Sequence, residues 1–277
     1  MTLALAIALA ALATVLATVA WRLRRERDVS SRRIIQLSEE LERIDRAFSL
    51  FAPATLVDRI GAGAPPEPQK RDVTVLFSDL QGFTALSERL DPADLVEVLN
   101  GYFREMSTVI TTRHGHVSKF LGDGIMALFG ALEDNPWQSA DAVRAALAMR
   151  EATFRYNEKL RQNGGPELRT GIGVHRGTAV TGIMGNQFLA EFTVVGAAVN
   201  LASRVENLTR LHGVDVLITE QVRAGLDGRF RLRELPAVDV KGMESAVVTF
   251  AVDGFLAGGE PALPSQGQLP RAYPGRK

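Results

Sequence analysis

Val73-Thr74-Val75-Leu76-Phe77-Ser78-Asp79-Leu80-Gln81-Gly82-Phe83-Thr84 carries two messages in twelve residues. Its first five residues are β-branched or bulky and nearly all apolar, the pattern of a strand buried on both faces. Asp79 then places a carboxylate at the mouth of that strand, and Gly82 turns the chain. A carboxylate there suits a hard cation, and turn N–H groups suit phosphate oxygens. A second acidic turn follows at Gly122-Asp123-Gly124, between strand-like runs at 117–121 and 125–129. A hairpin paired beside the first strand would bring Asp79 and Asp123 together. Two carboxylates sharing divalent cations form a phosphoryl-transfer site. Spacing alone leaves the plainer reading open, with Asp79 capping a helix and Asp123 forming a turn.

Working outward, Asp91-Pro92 is an N-cap followed by proline at the first helical position, and predicts a helix to about Thr112. Residues 139–161 show helical periodicity and close at Gly164-Gly165. Residues 168–174 and 178–183 read as two strands, 199–208 as a helix, and 214–218, 229–235 and 247–252 as further strands. Hairpins among alternating strands and helices predict an α+β sandwich with a mixed, antiparallel-rich sheet. The chain divides as 1–21 apolar segment, 22–60 connecting helix, 61–71 linker, 72–254 soluble domain and 255–277 disordered tail. The linker rests on Gly61-Ala62-Gly63-Ala64-Pro65-Pro66, and the tail on its Pro and Gly content.

Residues 1–21 hold 18 apolar residues, three threonines and no charge, followed by the basic cluster Arg22-Leu23-Arg24-Arg25. About 20 helical residues span a bilayer core, and basic residues favour the cytoplasmic side. The expectation is a single-pass anchor in the plasma or inner membrane with the remainder cytoplasmic. A cleaved signal peptide is the alternative, although no charge precedes the apolar run. Ile34, Leu37, Leu41, Ile44, Phe48 and Phe51 follow heptad spacing, which predicts a short parallel coiled coil or a lone amphipathic helix.

Composition removes other classes. The chain has 277 residues, with 32 Lys+Arg against 32 Asp+Glu, so no global positive field favours nucleic acid. It contains no cysteine, which excludes disulfides, thiolate catalysis and Cys-based zinc sites. No P-loop, dinucleotide fingerprint or nucleophile elbow occurs. The four histidines, His114, His116, His175 and His212, form no i,i+4 pair and read as structural or surface residues.

Three ordered motifs sharpen this picture: Phe77 to Thr84, Lys119-Phe120-Leu121-Gly122-Asp123-Gly124, and Val199-Asn200-Leu201-Ala202-Ser203-Arg204. Together they resemble the catalytic domain of the class III nucleotide cyclases, of the adenylate type, over about residues 72–254. The resemblance implies a ferredoxin-like βαββαβ-type sandwich. It also implies a homodimer with interfacial sites and two Mg²⁺ or Mn²⁺ ions per site. By position, Asp79, the Leu80 carbonyl and Asp123 would hold metal, and the Gln81, Gly82, Phe83, Thr84 turn would face the phosphates. Lys119 with Thr193 would read adenine, Asn200 would position the ribose, Arg204 would stabilise the α-phosphate, and Lys241 would bind the terminal phosphates.

The implied reaction converts ATP to 3′,5′-cyclic AMP and pyrophosphate by attack of the 3′-hydroxyl on the α-phosphate. Lys119 suits adenine N1, an acceptor, and mismatches guanine N1, a donor. Two departures stand out. Gly196-Ala197-Ala198-Val199-Asn200 replaces the commoner Gly-Asp-Thr-Val-Asn, and Phe188-Leu189 stand where many members carry an arginine. Thr193 leaves a guanylate or relaxed-specificity cyclase open, and the missing arginine leaves a catalytically silent dimerisation module open. No residue names the activating signal, which would enter through the anchor, the seam or a regulatory partner.

Overall fold

The computed structural model describes residues 54–63, 66–186, 190–240 and 246–256, with scattered positions between 18 and 43. The chain separates into two units, Met1–Pro65 and Pro66–Lys277. In the first, residues 35–40 are helical and helix α1 (Ala54–Gly61) starts directly after Pro53 in the sequence. Of the heptad positions only Leu37 lies among the described residues, and its side chain is exposed. Among the described residues no helix is long and apolar enough to cross a membrane. The apolar run 1–21 lies outside them except for Thr18 and Trp21, and the tail from 257 lies outside them entirely.

The second unit is built on β1 (Gln69–Leu80), the strand expected from Val73 to Phe77 and longer at both ends. Val73, Val75 and Leu76 are fully buried, so both faces of the strand are covered. After the single-turn helix α2 (Phe83–Ser87) comes α3 (Pro92–Thr111), capped by the Asp91 carboxylate, which accepts from the Ala93 N–H at 3.0 Å. Val98, Tyr102, Met106 and Ile110 form its buried stripe at spacing four. Strands β2 (His116–Leu121) and β3 (Gly124–Phe129) form the hairpin. Helix α4 (Gln138–Gln162) buries Met149 together with Ala142, Ala145 and Ala146, whose small side chains allow close approach. At Gly101 of α3 an added Cβ would lie 2.1 Å from the Tyr156 hydroxyl of α4.

Strand β4 (Thr170–Gly185) is one 16-residue strand where two were expected, with the break placed near Gly177. Gly177 does not turn. It stays in register with Val73 of β1, and a Cβ there would lie 3.1 Å from Ala198 Cβ. The glycine serves a close approach rather than a bend. Strand β5 (Ala190–Val195), absent from the sequence reading, pairs antiparallel with the end of β4. Then follow α5 (Ala197–His212), β6 (Val216–Thr219), the short α6 (Glu220–Arg223), β7 (Phe230–Val238) and β8 (Val247–Phe255). The sheet order is β2-β3-β1-β4-β6-β8-β7, with β6 parallel to β4 and the other described pairings antiparallel. The first four strands and their helices follow βαββαβ order, the ferredoxin-like arrangement.

Helices cover both faces. Val216 and Ile218 join the cluster containing Tyr102, Met106 and Met149, whereas Leu217 joins Leu201 and Val205. Alternating strand residues point to opposite faces, so α3 and α4 lie on one side and α5 on the other. Gly173 sets how closely α5 sits. An added Cβ would lie 2.1 Å from the Glu206 backbone nitrogen and 2.5 Å from its Cα.

Candidate active site

Asp79, half-buried, is the penultimate residue of β1 and lies opposite Gly171 of β4. On the other flank, Ser78 of β1 pairs with Ile125 of β3, so the hairpin tip reaches Asp79. Leu121 pairs with Gly124, leaving Gly122 and Asp123 as a two-residue turn, with Gly122 at φ 65°. Gly124 permits the approach: a Cβ there would lie 3.0 Å from the Ser78 carbonyl and 3.4 Å from Asp79 Oδ1. Asp123 Oδ2 accepts from the Leu80 N–H at 3.3 Å. Gly82, at φ 75°, then turns the chain into α2. Asp79, Leu80, Gly82, Phe83, Thr84 and Asp123 thus line one cavity of about 300 Å³, with Arg210 of α5.

Crowded negative charge dominates the electrostatics. Burial and the neighbouring Asp79 push the Asp123 carboxyl up to about 6. Glu206 of α5 is 4% exposed, and its Oε1 has no hydrogen-bond partner. It lies over Gly171, where a Cβ would meet Glu206 Oε1 at 2.9 Å and Gln81 Nε2 at 3.4 Å. Burial first, then Asp79, push Glu206 up to about 7, while Arg210 opposes the shift. Tyr102, buried beneath, is pushed up to about 12 mainly by burial. Arg210 donates to Asp79 Oδ2 at 2.5 Å.

Among the described residues no group of three or more His, Asp or Glu side chains is arranged as a metal cage. Asp79 and Asp123, two adjacent carboxylates beside an open cavity, nevertheless fit Mg²⁺ or Mn²⁺. Such ions take few protein ligands and complete their shells with water and substrate phosphates.

Among the described residues, the other sequence-derived candidates do not line this cavity. Lys119 of β2 forms an ion pair with Glu191 of β5, and Thr193, two residues on, is buried. Asn200 and Arg204 occupy the N-terminal half of α5 and do not line the cavity. They precede Arg210 by ten and six residues, about 15 and 9 Å along the helix. Lys241 and Phe188-Leu189 lie outside the described residues. Burial pushes His116 and His175 down to about 4, and His175 Nδ1 shares a hydrogen bond with Thr219 at 2.9 Å. Sequence reasoning missed Glu206, Arg210 and Glu191. The available signal was Glu206 itself, in phase with buried Ala202 and Thr209 at spacings of four and three, with Arg210 one turn later.

Residues 66–254 match the family of adenylate and guanylate cyclase catalytic domains, and the chain belongs to that family. An adenylate cyclase of Anabaena cylindrica is 35% identical over 215 residues, 75% of this chain and 41% of that protein. Adenylate cyclase 1 of Rhizobium meliloti is 32% identical over 212 residues, 76% of this chain and 32% of that protein. The chain therefore spans less than half the length of these two relatives. The crystal structure of the adenylyl cyclase CyaB from P. aeruginosa superposes with TM-score 0.63 and 30% identity, over 68% of this chain and 96% of that one. The guanylyl cyclase Cya2 superposes with TM-score 0.66 and 33% identity, over 72% of this chain and all of that one.

Proposed function

We propose that this protein is a homodimeric adenylate cyclase that converts ATP to 3′,5′-cyclic AMP and pyrophosphate. The carrying observation is the convergence of Asp79, Asp123 and the Gly82-Phe83-Thr84 turn on one cavity. Asp79, Asp123 and the Leu80 carbonyl would hold Mg²⁺ or Mn²⁺. When bound, the ions supply charge neutralisation of the triphosphate and acidification of the 3′-hydroxyl. The turn at Gly82 aligns the polyphosphate in line with the attacking hydroxyl.

One protomer supplies only part of the machinery. Asn200 and Arg204 are displaced along α5 from the cavity of their own chain, which supports their acting on the cavity of a second copy. There Asn200 orients the ribose and Arg204 meets the charge that develops on the α-phosphate. Lys119 donates to adenine N1, with Thr193 beside it on β5, and Lys241 binds the terminal phosphates. No protein nucleophile is required, in keeping with a chain that has no cysteine.

The purified chain is expected to make cyclic AMP from ATP with Mn²⁺ and to lose that activity on Asp79→Ala. Absence of product at concentrations that drive dimerisation would refute the reading. The uncharged run 1–21 supports a single-pass membrane anchor with the catalytic domain in the cytoplasm. Its release from membranes by alkaline carbonate would refute that part. Input from a regulatory partner would reach the catalytic domain through residues 22–60.

A further inference from the structure

Arg210 is the cavity-lining residue to which the proposed chemistry gives no task. It sits on α5, 131 positions from Asp79, yet its guanidinium reaches Asp79 Oδ2 at 2.5 Å. Both side chains are partly open to solvent, 45% for Arg210 and 31% for Asp79, so the contact is free to break. Among the described residues it is the only cationic side chain lining the cavity, facing Asp79 and Asp123, with Glu206 one turn before it on the same helix.

We propose that Arg210 is an internal counter-ion that competes with the divalent cation for Asp79. This rests on the metal reading of Asp79 and Asp123. A guanidinium and a divalent cation on one carboxylate repel each other strongly even when they use different oxygens, because both lie within a few ångströms. Metal entry therefore requires Arg210 to withdraw. In the metal-free protein Arg210 offsets part of the acidic cluster's self-repulsion, and in the metal-bound protein that task passes to the ion. Arg210 is thus a positioning residue for Asp79 that lowers apparent metal affinity and stabilises the metal-free fold.

A partly exposed ion pair of this kind changes an equilibrium constant up to about fivefold, and the removed repulsion adds to that. The test is Mn²⁺ titration of the full chain followed by electron paramagnetic resonance of free Mn²⁺. The wild type is compared with Arg210→Gln, Arg210→Lys and Asp79→Ala. Arg210→Gln is expected to bind Mn²⁺ about three- to tenfold more tightly, with Arg210→Lys close to wild type. Thermal melting adds a readout independent of catalysis: Arg210→Gln melts lower than wild type without metal, and the gap closes at saturating Mn²⁺. Unchanged or weaker Mn²⁺ binding by Arg210→Gln overturns the inference while leaving the metal site intact. If Asp79→Ala binds Mn²⁺ as well as wild type, the metal reading fails and the inference falls with it.

Discussion

Glu206→Gln offers the sharpest quantitative test of the acidic cluster. The Glu206 side chain is 4% exposed, its Oε1 lacks a partner, and it faces Asp79. Its carboxyl stands at about 7 against an ordinary 4.5. The folded protein therefore holds this proton more tightly than the unfolded chain. The resulting stabilisation is complete below pH 4.5 and is lost as pH rises through 7. At 1.36 kcal/mol per unit, the loss amounts to about 3 kcal/mol. Urea denaturation of the metal-free protein in EDTA, from pH 4.5 to 8.5, measures it. Wild type is expected to lose that stability across the window, on top of a smaller loss from Asp123 in the same direction. Glu206→Gln keeps a neutral side chain of the same shape and is expected to lack the Glu206 component, so its advantage grows with pH. If the variant is less stable than wild type by the same margin at pH 5 and pH 8, Glu206 carries no frustrated charge and the reasoning fails.

Other substitutions probe separate parts of the architecture. Gly173→Ala places a Cβ 2.1 Å from the Glu206 nitrogen. Backbone cannot yield as a side chain tip can, so a loss of about 3 kcal/mol is expected in urea denaturation. Asp79→Ala and Asn200→Ala should each abolish cyclic AMP production alone. After subunit exchange of an equal mixture, half the dimers carry one intact site, which restores about a quarter of wild-type activity. No recovery on mixing would place Asn200 in the cavity formed by Asp79 of its own protomer. Lys119→Glu is expected to lower kcat/KM for ATP at least tenfold and to raise the GTP-to-ATP ratio, since it replaces a donor by an acceptor. An unchanged ratio would remove Lys119 from base reading.

The elements legible in the sequence were those whose signals are local. The apolar run before Asp79, the Asp91-Pro92 cap and the Gly122-Asp123 turn each specify backbone within a few residues, and each forms where expected. The two strands expected at 168–174 and 178–183 are one, because the glycine between them, Gly177, serves a close approach to Ala198 of α5, which no local pattern distinguishes from a turn. Strand β5 is six residues long with two exposed ends, and its identity depends on pairing with β4. In the site, Asp79 and Asp123 were readable because each sits at the end of its own local motif. Glu206 and Arg210 were not, because their role comes from contacts made across more than 120 positions, through the seating of α5 on Gly173.

That seating explains why a single helix serves two sites in the proposed dimer. Gly173 fixes α5 against β4 at Glu206, so the C-terminal half of the helix delivers Glu206 and Arg210 beside Asp79. The helical rise then carries Arg204 and Asn200 about 9 and 15 Å away from Arg210, and neither lines the cavity of its own protomer. In the proposed dimer, the ten-residue spacing from Asn200 to Arg210 would separate a half that acts within its own protomer from a half that acts on another. A dimer in which α5 met only its own cavity would leave Asn200 and Arg204 without a task. A dimer that exchanges these halves gives every cavity two carboxylates for metal, a turn for phosphates and an arginine for the α-phosphate.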